Sequence, residues 1–259
     1  MGVEETPGGD PIHRYSGVPI ESEPELSTGD GGLMDALDSH LDTCFPGVPR
    51  QVFHELISPT IHLDIHIVPP NEKIDAFTCV TTGMAERPMS FPPGARGLYG
   101  GGRYAELVTL LPSDWPLFDD FDPEKSMAFD EAKESFFWPL HGLKWLPRFA
   151  HEHGAWFWDG HTIPNGDPAE PIEDTNFIGL MLVDASIAAN LPEQFSRFTA
   201  GDRDVQLLLV MPLTEGEMDF KLQKGANELL DRLIEADVGV VIDAKRKSAI
   251  QKRSRWWPF

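Results

Sequence analysis

Residues 205–211 of the chain are VQLLLVM, and residues 176–183 are NFIGLMLV. Apolar side chains fill almost every position of both runs, so they lack the strict alternation of a strand with one exposed face. A strand whose two faces are both buried has this composition. The two runs therefore predict strands in the interior of a sheet, and the rest of the chain is interpreted around them.

Shorter segments on either side of these runs alternate between strand and helix patterns. Further strands are predicted at 61–68, 75–82, 104–111 and 238–242. Helices are predicted from Leu33, within 126–153, and at 215–225 and 226–236. Pro139 suits the first residue of a helix, whereas Pro147 should kink or end that helix unless local packing compensates. Strands and helices that do not alternate one to one indicate an α+β fold, with a mixed β-sheet covered by helices.

Composition divides the chain into three parts. Residues 1–32 are polar and rich in Gly and Pro, which predicts a disordered leader. Residues 33–244 carry the predicted elements and are expected to form a single domain. Residues 245–259 form a basic and aromatic C-terminal tail, whose simplest interpretation is a solvated extension. One alternative is an arm that contacts nucleic acid or lipid, with Trp256 and Trp257 as stacking or interfacial groups. Another is a scaffold that acts through this tail.

The chain is strongly acidic, with 21 Lys and Arg residues against 42 Asp and Glu residues and a formal net charge of −21. Such a surface repels nucleic-acid phosphates and anionic lipid, so neither partner is expected, whereas a basic protein is. The two cysteines, Cys44 and Cys79, are too few for a disulfide scaffold, which favours the cytoplasm. No cofactor is predicted.

His62, Asp64 and His66 have the most metal-like spacing in the chain. Alternate positions of a strand place all three side chains on one face, about 7 Å from one to the next. With a further histidine from His151, His153 or His161, they form the weak candidate for a metal site and for a metal-dependent hydrolase. The alternative is a polar strand face that is hydrogen-bonded to covering loops.

Other enzyme signatures find little support. The chain has no GxSxG or HExxH motif, and neither cysteine lies in a recognisable nucleophile motif. Gly100, Gly101 and Gly102 are not followed by Lys-Ser or Lys-Thr and precede a predicted strand, so they are a weak phosphate-loop candidate. A non-enzymatic protein is therefore expected.

Residues 156–168, WFWDGHTIPNGDP, combine rigid aromatic side chains with short polar ones. Trp offers a large contact area at low entropic cost, and Asp, His and Asn give direction to hydrogen bonds. We therefore consider Trp156, Asp159, His161, Asn165 and Asp167 candidate partner-binding residues. The alternative is a structural loop whose polar groups satisfy its own backbone.

Ordered motifs throughout the chain resemble those of the bacterial Suppressor of fused domain family. The motifs span nearly all of the predicted domain: TTGM (81–84), RPM (87–89), YAEL (104–107), LPSDWP (111–116), WP (138–139), LKWL (143–146), HE (151–152), GHTIPNGDP (160–168), MPL (211–213), EM (217–218) and FKL (220–222).

The resemblance implies a domain that sequesters a protein or peptide and has no enzymatic activity. In animal relatives a short peptide of a Gli-type transcription factor adds to the sheet as a strand, and bacterial relatives are often immunity or antitoxin partners of toxins. The residues that hold the peptide in animal relatives are most similar here to Phe149, Asp159 and His161. If either apolar strand, 176–183 or 205–211, has a free edge, it is expected to accept such a peptide.

Overall fold

The computed structural model describes residues 4–15, 29–55, 61–91, 103–125 and 130–250. Eight strands in these ranges form one mixed sheet. They are β1 (Gln51–Phe53), β2 (Asp64–Val68), β3 (Ala76–Thr82), β4 (Tyr104–Pro112), β5 (Thr162–Pro164), β6 (Phe177–Asp184), β7 (Arg197–Ala200) and β8 (Arg203–Thr214). Their order is β1-β2-β3-β4-β8-β6-β5, with β7 paired to β8 beside this path.

Strand β8 lies at the centre of the sheet. It pairs in parallel with β4 and antiparallel with β6 and β7. Every residue from Val205 to Thr214 is buried, and so are most residues of β6. The prediction of interior strands at 176–183 and 205–211 is confirmed. Among the described residues β8 and β6 both have neighbours on each side, so the condition for peptide addition to either strand, a free edge, is not met.

Within the described residues, four α-helices cover the two faces of the sheet, which confirms the predicted α+β class. They are α1 (Gly31–Cys44), α2 (Trp138–Glu152), α3 (Glu215–Lys224) and α4 (Ala226–Glu235). The buried leucines of α2 pack with Leu208 and Val210 of β8, whereas those of α1 pack with Leu207 and Leu209. Successive residues of a strand point to opposite faces, so α2 covers one face and α1 the other. The α3–α4 pair packs on Met211 and Leu213, beside α1.

Helix α2 begins with Trp138 and Pro139, as the sequence predicts, but it does not end at Pro147. Pro147 is buried with Leu143 and Leu146 on the face that meets the sheet. Apolar burial on this face offsets the hydrogen bond that proline cannot donate. The helix therefore continues to Glu152, and its last turn carries Phe149.

Some local predictions are wrong. Residues 61–63 precede β2, so the strand predicted at 61–68 is shorter than expected, and all five residues of β2 are buried. Residues 131–136 form a 3₁₀ helix, separate from α2. The strand predicted at 238–242 is reduced to one bridge, between Leu110 and Val241. No helix in the described part of the chain has the length and apolar character of a membrane span.

Candidate functional site

Three of the predicted binding residues, Phe149, Trp156 and His161, lie between the last turn of α2 and the start of β5, and we call them the ring cluster. The rings of Trp156 and His161 form a T-shaped pair with centroids 4.4 Å apart. Phe149 stacks on Phe157 at 6.3 Å, with 8° between the ring planes. Trp156 and Phe157 are buried, while Phe149 and His161 are only partly buried. The cluster thus joins the core to the surface.

The end of α2 determines this arrangement. Gly154 adopts a positive φ of 60°, which permits the sharp turn that commonly ends a helix. Ala155 then donates its backbone N–H to the carbonyl of Ala150. The turn directs the chain back along the last turn of α2, so that Phe157 stacks on Phe149.

His161 is held as a neutral imidazole. Burial lowers its pKa to about 3, and the positive charges of His13 and Lys221 act in the same direction. The ring also forms a hydrogen bond with the backbone of Trp156, which partly opposes the shift. At neutral pH His161 therefore offers a ring face and one acceptor nitrogen, without a positive charge.

Strand β5 follows His161 directly and has β6 as its single partner among the described residues. The carbonyl of His161 and the N–H of Asn165 both bond to β6. Antiparallel strands alternate residues that bond to the partner with residues that face away. Thr162 and Pro164 therefore direct their backbone groups outward, and Thr162 offers both an N–H and a carbonyl to an added strand.

The surroundings of β5 are acidic. The sequence contains no Lys or Arg between Arg148 and Arg197. Exposed carboxylates lie on both sides of β5 along the chain, at Asp159, Asp167, Glu170, Glu173 and Asp174. This stretch of the surface accounts for part of the net negative charge and favours a basic ligand.

The other predicted binding residues lie on the loops around β5. Asp159 accepts the backbone N–H of Asp184 at 2.9 Å. Asn165 donates to the carbonyls of Glu170 and Pro171, so both Asp159 and Asn165 stabilise their own loops. Asp167 is exposed and close enough to Arg14 to affect its charge. A role for any of the six residues in partner binding stays a prediction.

His62, Asp64 and His66 do not converge on a common point. The carboxylate of Asp64 lies 3.0 Å from His54 and 3.2 Å from His62, and it accepts the N–H of Glu55. His66 lies 3.3 Å from Asp38. No group of three or more His, Cys, Asp or Glu in the described ranges has an arrangement that holds a metal ion. The carboxylate of Asp64 is thus bonded by protein groups, which leaves the hydrolase hypothesis without structural support.

Sequence reasoning missed two ring side chains that contact the cluster from the N-terminal segment. His13 lies against Trp156 and His161, and Tyr15 lies against Phe149. The available signal was the pair of ring residues His13 and Tyr15, two positions apart. The polar composition of residues 1–32 predicted disorder instead, so this pair was not considered. Residues 16–28, Gly100–Gly102 and 251–259, including Trp256 and Trp257, lie outside the described residues.

The neutral state of His161 predicts a pH dependence of stability. A histidine whose folded pKa lies below its ordinary 6.5 binds a proton more readily when unfolded, so its stabilising effect is complete above 6.5 and decreases as pH falls. We expect the titration of His161 to lower the free energy of unfolding by about 2 kcal/mol between pH 7 and pH 5. Urea unfolding of the wild type and His161→Gln at both pH values measures this, and an equal pH dependence of the two proteins would contradict it.

The chain matches one family model and is similar to several solved structures. The family model of the Suppressor of fused protein (SUFU) matches residues 59–247. A crystal structure of a SUFU homologue from Neisseria gonorrhoeae is similar at a TM-score of 0.58 and 14% identity, over 85% of this chain and 98% of that one. Suppressor of Fused from Drosophila has a TM-score of 0.55 and 16% identity, over 88% of this chain and 54% of that one.

A third similar structure is that of the Sufu–Fu complex, with a TM-score of 0.57 and 15% identity, over 84% of this chain and 92% of that one. No curated protein matches the sequence. The matched region of the family model covers well over half of the chain and includes α2, the ring cluster and β5. The chain belongs to the Suppressor of fused family.

Proposed function

We propose that the chain is a non-enzymatic domain that sequesters a protein partner by adding a segment of that partner to the outer side of β5. The observation that carries this proposal is the edge of β5, where Thr162 faces away from β6 beside the ring cluster. Main-chain hydrogen bonds along this edge would give affinity, and the ring cluster would select side chains. The Sufu–Fu complex supports binding of a protein partner, since a structurally similar protein forms a complex with another protein.

We further propose that the partner is a basic protein such as a toxin. The chain would then act as an immunity or antitoxin protein that neutralises this toxin in the cytoplasm. The absence of Lys and Arg from residues 149–196 supports this class of partner, because a basic protein would be steered toward β5. Cys44 and Cys79 are free and buried, in keeping with a reducing compartment. Burial raises the pKa of the Cys44 thiol to about 11, so this group is a poor nucleophile.

The edge of β5 is tested by a backbone change. Thr162→Pro removes the outward N–H, whereas Thr162→Val keeps it and removes only the hydroxyl. In affinity capture from a lysate of the source organism, we expect wild type and Thr162→Val to retain the same partner. Thr162→Pro should retain about tenfold less, the effect of one or more lost hydrogen bonds. Capture should also decrease between 50 and 300 mM salt.

Thermal unfolding of each variant provides the control, since a misfolded Thr162→Pro protein would lose binding for a trivial reason. If Thr162→Pro folds normally and captures the partner as well as the wild type does, addition to β5 is wrong. If capture is insensitive to salt, the partner is not held by its positive charge.

A further inference from the structure

The described N-terminal residues form a small hairpin, residues 4–15, which we call the N-terminal hairpin. A bridge between Glu5 and Pro11 and the hydrogen bond from the N–H of Ile12 to the carbonyl of Glu4 hold its two arms together. The guanidinium of Arg14 donates to both oxygens of Glu4 at 2.9 Å. These contacts are internal to the hairpin, so it has a defined shape when it meets the domain.

The turn of the hairpin docks on the end of α3. The N–H of Gly8 donates to the carbonyl of Leu222 at 3.0 Å, and Asp10 pairs with the largely buried Lys221 at 3.1 Å. The approach is close, because a Cβ added at Gly8 would lie 2.5 Å from the backbone nitrogen of Gly225. Glycine is therefore required at position 8 for this contact.

Docking at α3 places the last residues of the hairpin on the ring cluster. The centroid of the His13 ring lies 5.2 Å from that of Trp156 and 5.7 Å from that of His161. Tyr15 forms a T-shaped pair with Phe149 at 5.6 Å, and its hydroxyl forms a hydrogen bond with the backbone of Trp156. Every member of the ring cluster is thus in contact with the hairpin.

We propose that the N-terminal hairpin is an intramolecular occupant of the ring cluster, and that a partner must displace it to bind there. This inference rests on the proposed function, because it takes the ring cluster to be part of the partner-binding surface. It also indicates the chemistry of the partner: an extended segment with two ring side chains flanking a basic residue, as His13 and Tyr15 flank Arg14. A basic residue at this position of the partner suits the acidic loop after β5, because the pKa of Arg14 is raised by Glu4 and also by the negative charge of Asp167 in this loop.

The contacts of the hairpin are suited to exchange. His13 remains exposed, Tyr15 is only half-buried, and the Arg14–Glu4 pair is in solvent. Exposed pairs contribute little to stability. A tethered occupant nevertheless competes effectively because its local concentration is in the millimolar range. The apparent affinity of any competing segment is reduced by the fraction of molecules in which the hairpin is docked.

The test uses the full chain and a labelled synthetic peptide with the sequence of residues 4–15, EETPGGDPIHRY. In His13→Ala/Tyr15→Ala the tethered hairpin loses both rings, so the peptide should bind at least about tenfold more tightly than it binds the wild type, measured by fluorescence anisotropy. Glu5→Ala is the matched control, since Glu5 lies on the same hairpin with an exposed side chain, and it should behave as the wild type.

Hydrogen exchange gives a second readout that does not depend on the peptide. Amides of residues 149–161 should exchange faster in His13→Ala/Tyr15→Ala than in Glu5→Ala. Equal peptide affinity for all three proteins, or equal exchange in both variants, would overturn the proposal. A peptide in which both rings are replaced by alanine should not bind, and binding of that peptide would overturn it too.

Capture of a protein partner distinguishes this inference from the proposed function. If the wild type and His13→Ala/Tyr15→Ala retain a partner equally, the domain binds protein but the hairpin does not compete, and the inference fails. If the peptide binds as expected while neither protein retains a partner, the hairpin occupies the cluster and the proposed function fails instead.

Discussion

Replacement of Glu106 by alanine is expected to lower the free energy of unfolding by about 3–5 kcal/mol, because the carboxylate satisfies several buried donors at once. Glu106 lies in β4 and is fully buried. One of its oxygens accepts the backbone N–H groups of Gly83 and Ala85, at 2.8 and 2.9 Å. The other accepts the hydroxyl of Thr81 at 2.5 Å.

The turn that Glu106 supports is packed closely against the backbone of His62. Gly83 has a φ of 127°, and a Cβ at this position would lie 1.8 Å from the carbonyl oxygen of His62. The turn is therefore fixed tightly against its neighbour, and its N–H groups cannot rotate toward water when Glu106 is removed. Urea unfolding measures the loss, with the exposed Asp114→Ala as a control expected within about 0.5 kcal/mol of wild type.

The same carboxylate predicts a pH effect of opposite sign to that of His161. Burial raises the pKa of Glu106 to about 7, although the hydrogen bonds from Thr81 and the turn oppose the shift. A carboxyl group with a raised folded pKa stabilises the protein fully below its ordinary 4.5, and this stabilisation is lost as pH rises toward 7. The stability difference between wild type and Glu106→Gln should therefore decrease from pH 5 to pH 8. An increase over that range would contradict the assignment.

The interior of the fold could be predicted from sequence because burial leaves a direct mark on composition. Strands β6 and β8 are long, and their near-continuous apolar runs identify them without knowledge of their neighbours. Strands β1 and β5 have three residues each, too few for any periodicity. Their pairing depends on the strand beside them, so the edges of the sheet were not predictable.

The candidate site could be predicted only in part. Phe149, Trp156 and His161 were selected by residue type and family resemblance. In the structure Trp156 contacts His161, and Phe149 stacks on the neighbouring Phe157. The contact of His13 with the cluster depends on the docking of Gly8 and Asp10 at α3, more than 200 positions away in sequence. A polar, Gly-rich segment carries no local signal of such a partner.

Replacement of Arg246 by alanine is expected to destabilise the protein by about 3–5 kcal/mol, because it leaves the buried carboxylate of Glu217 without its cation. The two nitrogens of the Arg246 fork donate to the two oxygens of Glu217 at 2.6 and 2.8 Å. One of them also donates to the carbonyl of Pro212 at 2.7 Å. Glu217 is fully buried and further accepts the N–H groups of Thr214 and Ala249.

This prediction separates Arg246 from the other basic residues of the C-terminal segment. Lys245 and Lys247 are exposed neighbours, so Lys247→Ala removes the same charge from the same segment and should cost less than about 0.5 kcal/mol. If Arg246→Ala and Lys247→Ala were equally stable in urea, the segment would be the solvated extension that its composition suggests. In the structure, Arg246 and Ala249 instead bond to Glu217 of α3.

The pH dependence of Arg246→Ala identifies the interaction that is lost. Burial acts to raise the pKa of Glu217, but the hydrogen bonds from Arg246, Ala249 and Thr214 outweigh it and lower the pKa below its ordinary 4.5. Such a carboxylate stabilises the protein fully above 4.5, and the stabilisation is lost as pH falls through the lowered value. The difference between wild type and Arg246→Ala should therefore be largest near neutral pH and decrease below pH 4.5. A difference that stays constant into acid would mean that the guanidinium acts through its packing over Phe177, 5.0 Å from the ring centroid, and not through its charge.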